Sequence, residues 1–214
     1  MPWKTYAALS ALLIFFCGAS ASAEETTVVR IQRQYETITS FQADFVQELR
    51  VAASRESEER RGVLYYQNPG LIRWETLSPE KELLVVGPEH VWNYFEQEET
   101  AYRYSSGDVL GSAMVLRILS GEARLDEDFL TEEDLSANAD WKSIRLVPRH
   151  PEPNLVEATI WVDPQTFVLH RVLALDFYGN TNQITLQDLR INLDLDPSLF
   201  TFTVPDGVMV HDNR

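Results

Sequence analysis

The stretch GVLYYQNPGLIRWETLSPEKELLVVGPEHVWNYFEQEETAYRY, residues 62–104, decides the fold. Short β-type runs alternate in it with turn residues. Residues 62–67 precede the turn Asn68-Pro69-Gly70, and 71–76 end before Ser78-Pro79. Residues 82–86 and 90–95 flank Gly87-Pro88-Glu89, and a further run from Glu98 or Glu99 ends at Tyr104. Proline removes a ladder donor and presets a turn, so such punctuation separates strands. Short strands at regular spacing predict an antiparallel meander.

Upstream, Phe41, Ala43 and Phe45 alternate with polar residues across 41–49, the period of a half-buried strand. The charged run 54–61 reads as a connection. Val28, Ile31, Tyr35 and Ile38 recur at helical spacing and predict an amphipathic helix over 27–40. At the start of the chain, Lys4, the apolar run 7–18 and the small residues of Ala21-Ser22-Ala23 have the form of a cleavable secretory signal. The apolar run is shorter than the ~20 residues that span a bilayer. The expected organisation is a signal peptide at 1–23 and one domain at 24–214.

Downstream the pattern changes. Residues 108–119 include Val109, Leu110, Met114, Val115, Leu116, Ile118 and Leu119. A helix apolar nearly all round must be buried or must cover something apolar. Gly121 is its expected stop, and the acidic segment 122–134 is read as a short second helix. Strands are expected again at 142–147, 156–163, 167–177, 181–191 and 200–204. Ten or eleven strands on one sheet must curl or close. Two or three helices are too few to be crossovers and must pack on one side. The predicted architecture is mainly β (α+β): a curled antiparallel sheet, or incomplete β-barrel, with helices over its concave face.

Composition narrows the function. The only cysteine, Cys17, lies in the signal segment, so the expected mature chain has no disulfide and no cysteine metal site. Cleavage would leave 17 Lys and Arg against 33 Asp and Glu, a charge of −16. Such a surface is repelled by nucleic acid and by anionic head groups, which argues against both as partners and against stable membrane insertion. His90, His150, His170 and His211 fit no zinc spacing. There is no nucleophile elbow, P-loop or dinucleotide fingerprint, so no catalytic residue, metal or cofactor is assigned. What stands out is apolar pairing on single strands: Phe41 with Phe45, Ile72 with Trp74, and Trp92 with Tyr94. These pairs are either ordinary core or the wall of an apolar cavity. The 109–119 helix favours the wall, because a lid over a cavity needs such a face.

At these residues the chain resembles the outer-membrane lipoprotein carrier family (LolA-like). The matching blocks are Ser40-Phe41-Gln42-Ala43-Asp44-Phe45-Val46-Gln47; Gly62-Val63-Leu64-Tyr65 with 68–75; Val91-Trp92-Asn93-Tyr94; and 199–208. The resemblance implies an incomplete barrel around a hydrophobic cavity and a monomeric periplasmic carrier. Its implied partners are acylated lipoproteins, an inner-membrane ABC-type release complex and an outer-membrane acceptor. It also implies a lid latched by an arginine just before the turn proline. Here that position is Asn68, a candidate latch with fewer donors and no charge. A weaker latch, or one from another residue, is expected. A carrier or sensor of another lipid or glycolipid on the same fold is the alternative.

Overall fold

The computed structural model describes residues 25–105, 114–134, 140–152 and 154–213. The expected signal peptide and the lid residues Val109 and Leu110 lie outside the described residues.

Helix α1 (Thr27–Glu36) starts where the Thr26 hydroxyl accepts from the Val29 N–H and buries Ile31. The chain then enters a run of strands: β1 (Ser40–Arg50), β2 (Ser57–Gln67), β3 (Leu71–Ser78), β4 (Glu82–Val86), β5 (His90–Phe95) and β6 (Thr100–Ser105). Helix α2 (Met114–Ser120) and the single turn α3 (Leu125–Asp128) follow. The second run comprises β7 (Phe129–Asp134), β8 (Lys142–Pro148), β9 (Glu157–Val162), β10 (Leu169–Leu175) and β11 (Thr181–Ile191). A 3-10 turn (Pro197–Phe200) and β12 (Met209–Asn213) complete the order.

All twelve strands form one sheet, in the order β12-β6-β5-β4-β3-β2-β1-β11-β10-β9-β8-β7. Every pairing is antiparallel except the parallel contact of β12 with β6. The two edges remain apart in the pairing, so the barrel is incomplete. Glu132, Glu133 and Asp134 charge one edge strand, a common guard against edge pairing.

Register separates the two faces, because residues opposite each other on antiparallel strands point the same way. Phe41, Ala43 and Phe45 share a face with Tyr66, Leu64 and Gly62 of β2. That face continues through Ile72 and Trp74 to Val86 and Leu84, and then to Val91. On the other side of β1 it runs through Leu186, Ile184, Val172, Ile160 and Ile144. Ile31, Met114, Ile118, Leu119 and Leu125 join these residues in one core cluster. The helices therefore cover one face of the sheet, the inner one, as the sequence pattern predicts.

Several elements differ from expectation. Strand β2 begins at Ser57, inside the charged run read as a connection. There Glu58 and Arg60 point inward and Glu59 and Arg61 outward, so alternation without apolar residues hid a hairpin extension. Phe129–Asp134 is an edge strand on β8 rather than a helix; its ladder to β8 outweighs the local pattern. No strand forms at 201–204. Instead Phe200 is buried, and the Leu199 carbonyl accepts from Arg73 Nη1 at 3.4 Å on the outer face of β3. The C-terminal strand is β12, further on.

Candidate functional site

Phe41, Phe45, Ile72 and Trp74 come together on the inner face. The Phe41 and Tyr66 rings lie 5.3 Å apart, and those of Phe45 and Trp74 4.8 Å. Phe45 and Trp74 belong to strands on either side of β2, and Gly62 between them makes the contact available. A Cβ at Gly62 would fall 2.8 Å from the Phe45 ring and 1.9 Å from the Glu75 carbonyl oxygen.

Trp92 and Tyr94 do not join this wall. The inner face of β5 carries Val91, opposite Val86, so Trp92 and Tyr94 face outward. There they pack on Phe202 at ring distances of 5.3 and 5.4 Å, with the Arg103 guanidinium over Trp92. Period two places Trp92 and Tyr94 on a common face without saying which face.

A cavity of about 220 Å³ lies on the inner face beneath α2. Trp74, Leu84 and Ile184 of the sheet and Val115 and Leu116 of α2 supply its apolar lining, and the pocket is partly open to solvent. Met114 and Leu119, on the same helix, are buried in the core cluster. Gly121 ends the helix at φ +75°, as expected of a stop, with Tyr35 packed so close that a Cβ would overlap its ring.

The cavity has a polar rim that sequence reasoning missed. Gln47 Nε2 donates to Asn182 Oδ1 at 3.0 Å. Arg60 bridges Glu58 at 2.7 Å and Glu82 at 3.0 Å. The signal for it was available: Glu58, Arg60 and Gly62 share one face by alternation.

Among the described residues, Asn68 and α2 make separate contacts. Asn68 is exposed, its backbone N–H donates to the Thr39 carbonyl, and among the described residues its carboxamide has no hydrogen-bond partner. Arg117 on α2 pairs with Asp128 at 3.1 Å, and Asp128 also accepts from the Arg124 N–H. Gln32 of α1 accepts from the Leu125 N–H, tying the segment after α2 to the first helix. Glu122 lies near the turn after β2: burial, and then this carboxylate, push the Tyr66 hydroxyl up to about 12.

A second, more open groove of about 580 Å³ runs between α1 and the β9–β10 turn. Trp141 and His170 stack there at 4.0 Å, and burial and the Arg171 charge lower the His170 pKa. Among the described residues, no three His, Cys, Asp or Glu side chains are placed to hold a metal ion. No helix of the described residues is long and apolar enough to cross a membrane.

Residues 36–203 match the family model described as outer membrane lipoprotein carrier protein LolA. An outer-membrane lipoprotein carrier protein of Methylococcus capsulatus is 30% identical over 214 residues, covering 100% of both chains. One from Salmonella paratyphi A is 26% identical over 211 residues, covering 99% of each. The fold is similar to the crystal structure of an uncharacterized conserved protein from Thermus thermophilus. That likeness has a TM-score of 0.56 at 13% identity, over 87% of this chain and 97% of the other, and speaks for the fold alone. With the family model matching residues 36–203 and a relative 30% identical over the whole chain, the chain belongs to the outer membrane lipoprotein carrier protein family, LolA.

Proposed function

We propose that the protein carries the acyl chains of lipoproteins through the periplasm, in the space now shared between the cavity and α2. It receives them from an inner-membrane ABC-type release complex and passes them to an outer-membrane acceptor. The observation that supports this reading best is the inner-face pocket whose apolar lining Val115 and Leu116 of α2 share with Trp74, Leu84 and Ile184 of the sheet.

The size of the cavity bears on mechanism. At about 220 Å³ it is only about half again as large as the ~150 Å³ cavity that holds one benzene. Two or three long acyl chains need far more room, so α2 must leave. Burying such chains yields a gross ~25–35 kcal/mol at ~0.8 kcal/mol per methylene. Non-covalent affinities saturate near ~18–21 kcal/mol, so a carrier that kept the whole gross term would never release its cargo. Displacing Met114, Val115, Leu116, Ile118 and Leu119 from the inner face offsets part of it. In this mechanism α2 is an internal competitor for the acyl site, and handover runs toward an acceptor that has no such competitor to displace.

Mass spectrometry of material copurified with the protein from the periplasm tests the proposal. Bound triacylated protein supports it. Free phospholipid or glycolipid in its place points to a carrier of another lipid, and an empty protein from cells rich in lipoprotein refutes it.

A further inference from the structure

Apolar walls cannot tell a lipoprotein from a phospholipid, because both offer the same acyl chains and every buried methylene contributes equally. A carrier loading near a membrane meets phospholipid in large excess. Discrimination must come from the polar end of the ligand, at the rim of the cavity. Building on the acyl-carrier reading above, we propose that the rim formed by Gln47, Asn182, Arg60, Glu58 and Glu82 selects neutral, ester- or amide-linked acyl groups and rejects anionic phosphodiester head groups.

The inner-face register carries this inference. Gln47 lies opposite Arg60, and Asn182 lies opposite Leu49, two residues along from Gln47. Gln47, Arg60, Glu82 and Asn182 line the same cavity as Trp74, Leu84, Ile184, Val115 and Leu116. Polar and apolar lining thus meet in one space, as an amphipathic ligand requires. Gln47 and Asn182 bond to each other at 3.0 Å. Beyond that bond, a carboxamide pair still offers N–H donors and carbonyl acceptors, which suit an ester carbonyl or an amide.

The charge on the rim points away from phosphate. A lone arginine at a cavity mouth would attract a phosphodiester, since the guanidinium fork matches it well. Arg60 is not alone: its Nε meets Glu58 and its Nη1 meets Glu82, so two carboxylates more than neutralise one guanidinium. Glu82 and Arg60 are partly shielded, with side-chain exposures of 23% and 30%, while Glu58 is 46% exposed, so the net charge stays within reach of added salt. An incoming phosphate meets net negative charge and an occupied guanidinium fork. Rejection of a competitor by an unfavourable charge is an ordinary route to specificity.

The test uses the full mature chain and two fluorescent probes of equal acyl length, a neutral monoacylglycerol and an anionic lysophosphatidylglycerol. The expected result is about tenfold tighter binding of the neutral probe, which corresponds to ~1.4 kcal/mol. In the double variant Glu58→Gln/Glu82→Gln, Arg60 is released, and the ratio of the two affinities falls about tenfold. For the wild-type chain, raising ionic strength from ~0.05 to ~0.5 M narrows the ratio, as screening requires, and needs no variant to fold. Equal affinities for the two probes in the wild type, or a ratio unmoved by both the variant and salt, overturn the charge filter while leaving the acyl cavity standing. Binding of neither probe by a folded wild-type chain overturns the acyl-carrier reading itself, and the filter with it.

Discussion

Leu116 distinguishes a lid from a core helix. It lines the cavity under α2 and is only half-buried, whereas Leu146 on β8 is fully buried in the core. Leu→Ala removes three carbons in either case. At ~0.8 kcal/mol per methylene that is ~2.4 kcal/mol for full burial, and about half, ~1.2 kcal/mol, for a half-buried side chain. If α2 competes with the ligand, each kcal/mol taken from the closed state is returned as affinity, because apparent affinity scales with the open fraction. Leu116→Ala should therefore bind a fluorescent acyl probe about eightfold more tightly. Its loss of stability in urea should be ~1 kcal/mol, while Leu146→Ala should lose ~2–5 kcal/mol without tighter probe binding. The assay is a probe titration paired with denaturant melts of both variants. An unchanged or weaker affinity for Leu116→Ala, with a stability loss matching that of Leu146→Ala, would refute the competing-lid mechanism and make α2 ordinary core.

Other outcomes follow from the same geometry. Arg117→Met, which removes the pair with Asp128 but keeps much of the apolar stem, should speed probe entry about two- to fivefold in stopped flow, since exposed pairs contribute ~0.2–1 kcal/mol. Trp74→Glu should abolish probe binding with the β spectrum retained; Trp92→Ala, on the outer face, should lower the melting temperature and leave probe affinity within about twofold, a difference under ~0.5 kcal/mol. Gly62→Ala places a Cβ 1.9 Å from the Glu75 carbonyl and 2.8 Å from the Phe45 ring, and should cost more than ~3 kcal/mol in a denaturant melt. Burial and Arg171 hold the folded His170 pKa below its usual value, so its contribution to stability is full above the unfolded pKa of about 6.5 and is lost as pH falls through the folded one. Replacing His170 with Gln should flatten the melting temperature between about pH 8 and pH 5.5; an unchanged slope would show that His170 does not contribute to it.

Much of the fold was legible because its signals are local. The turns at Asn68-Pro69-Gly70 and Gly87-Pro88-Glu89 bound strands whose apolar residues repeat at period two, and β1, β3, β4, β5 and β11 fall close to expectation. The apolar character of Met114 to Leu119 marked a covering helix before its partner was known. Local signals failed where pairing overrides them. Glu58, Glu59, Arg60 and Arg61 extend β2 because β1 continues opposite them. Met209–Asn213 becomes a strand because the edge of β6 is there to receive it in parallel.

The site was legible in part for the same reason. Composition and spacing alone pointed to apolar pairs on single strands, a strongly apolar helix containing Leu116, and a chain without the residues of a nucleophile elbow or a zinc site. Side-chain alternation is a property of the strand itself, so Phe41 with Phe45 and Ile72 with Trp74 were bound to share faces. Which face each pair occupies depends on register with a neighbouring strand, and a shift of one residue reverses it. Assembly of the sheet therefore turned Trp92 and Tyr94 outward onto Phe202 and gathered Gln47, Arg60, Glu82 and Asn182 from four strands around one pocket. Those contacts join residues distant in the chain, and only the paired and curled sheet brings them within reach.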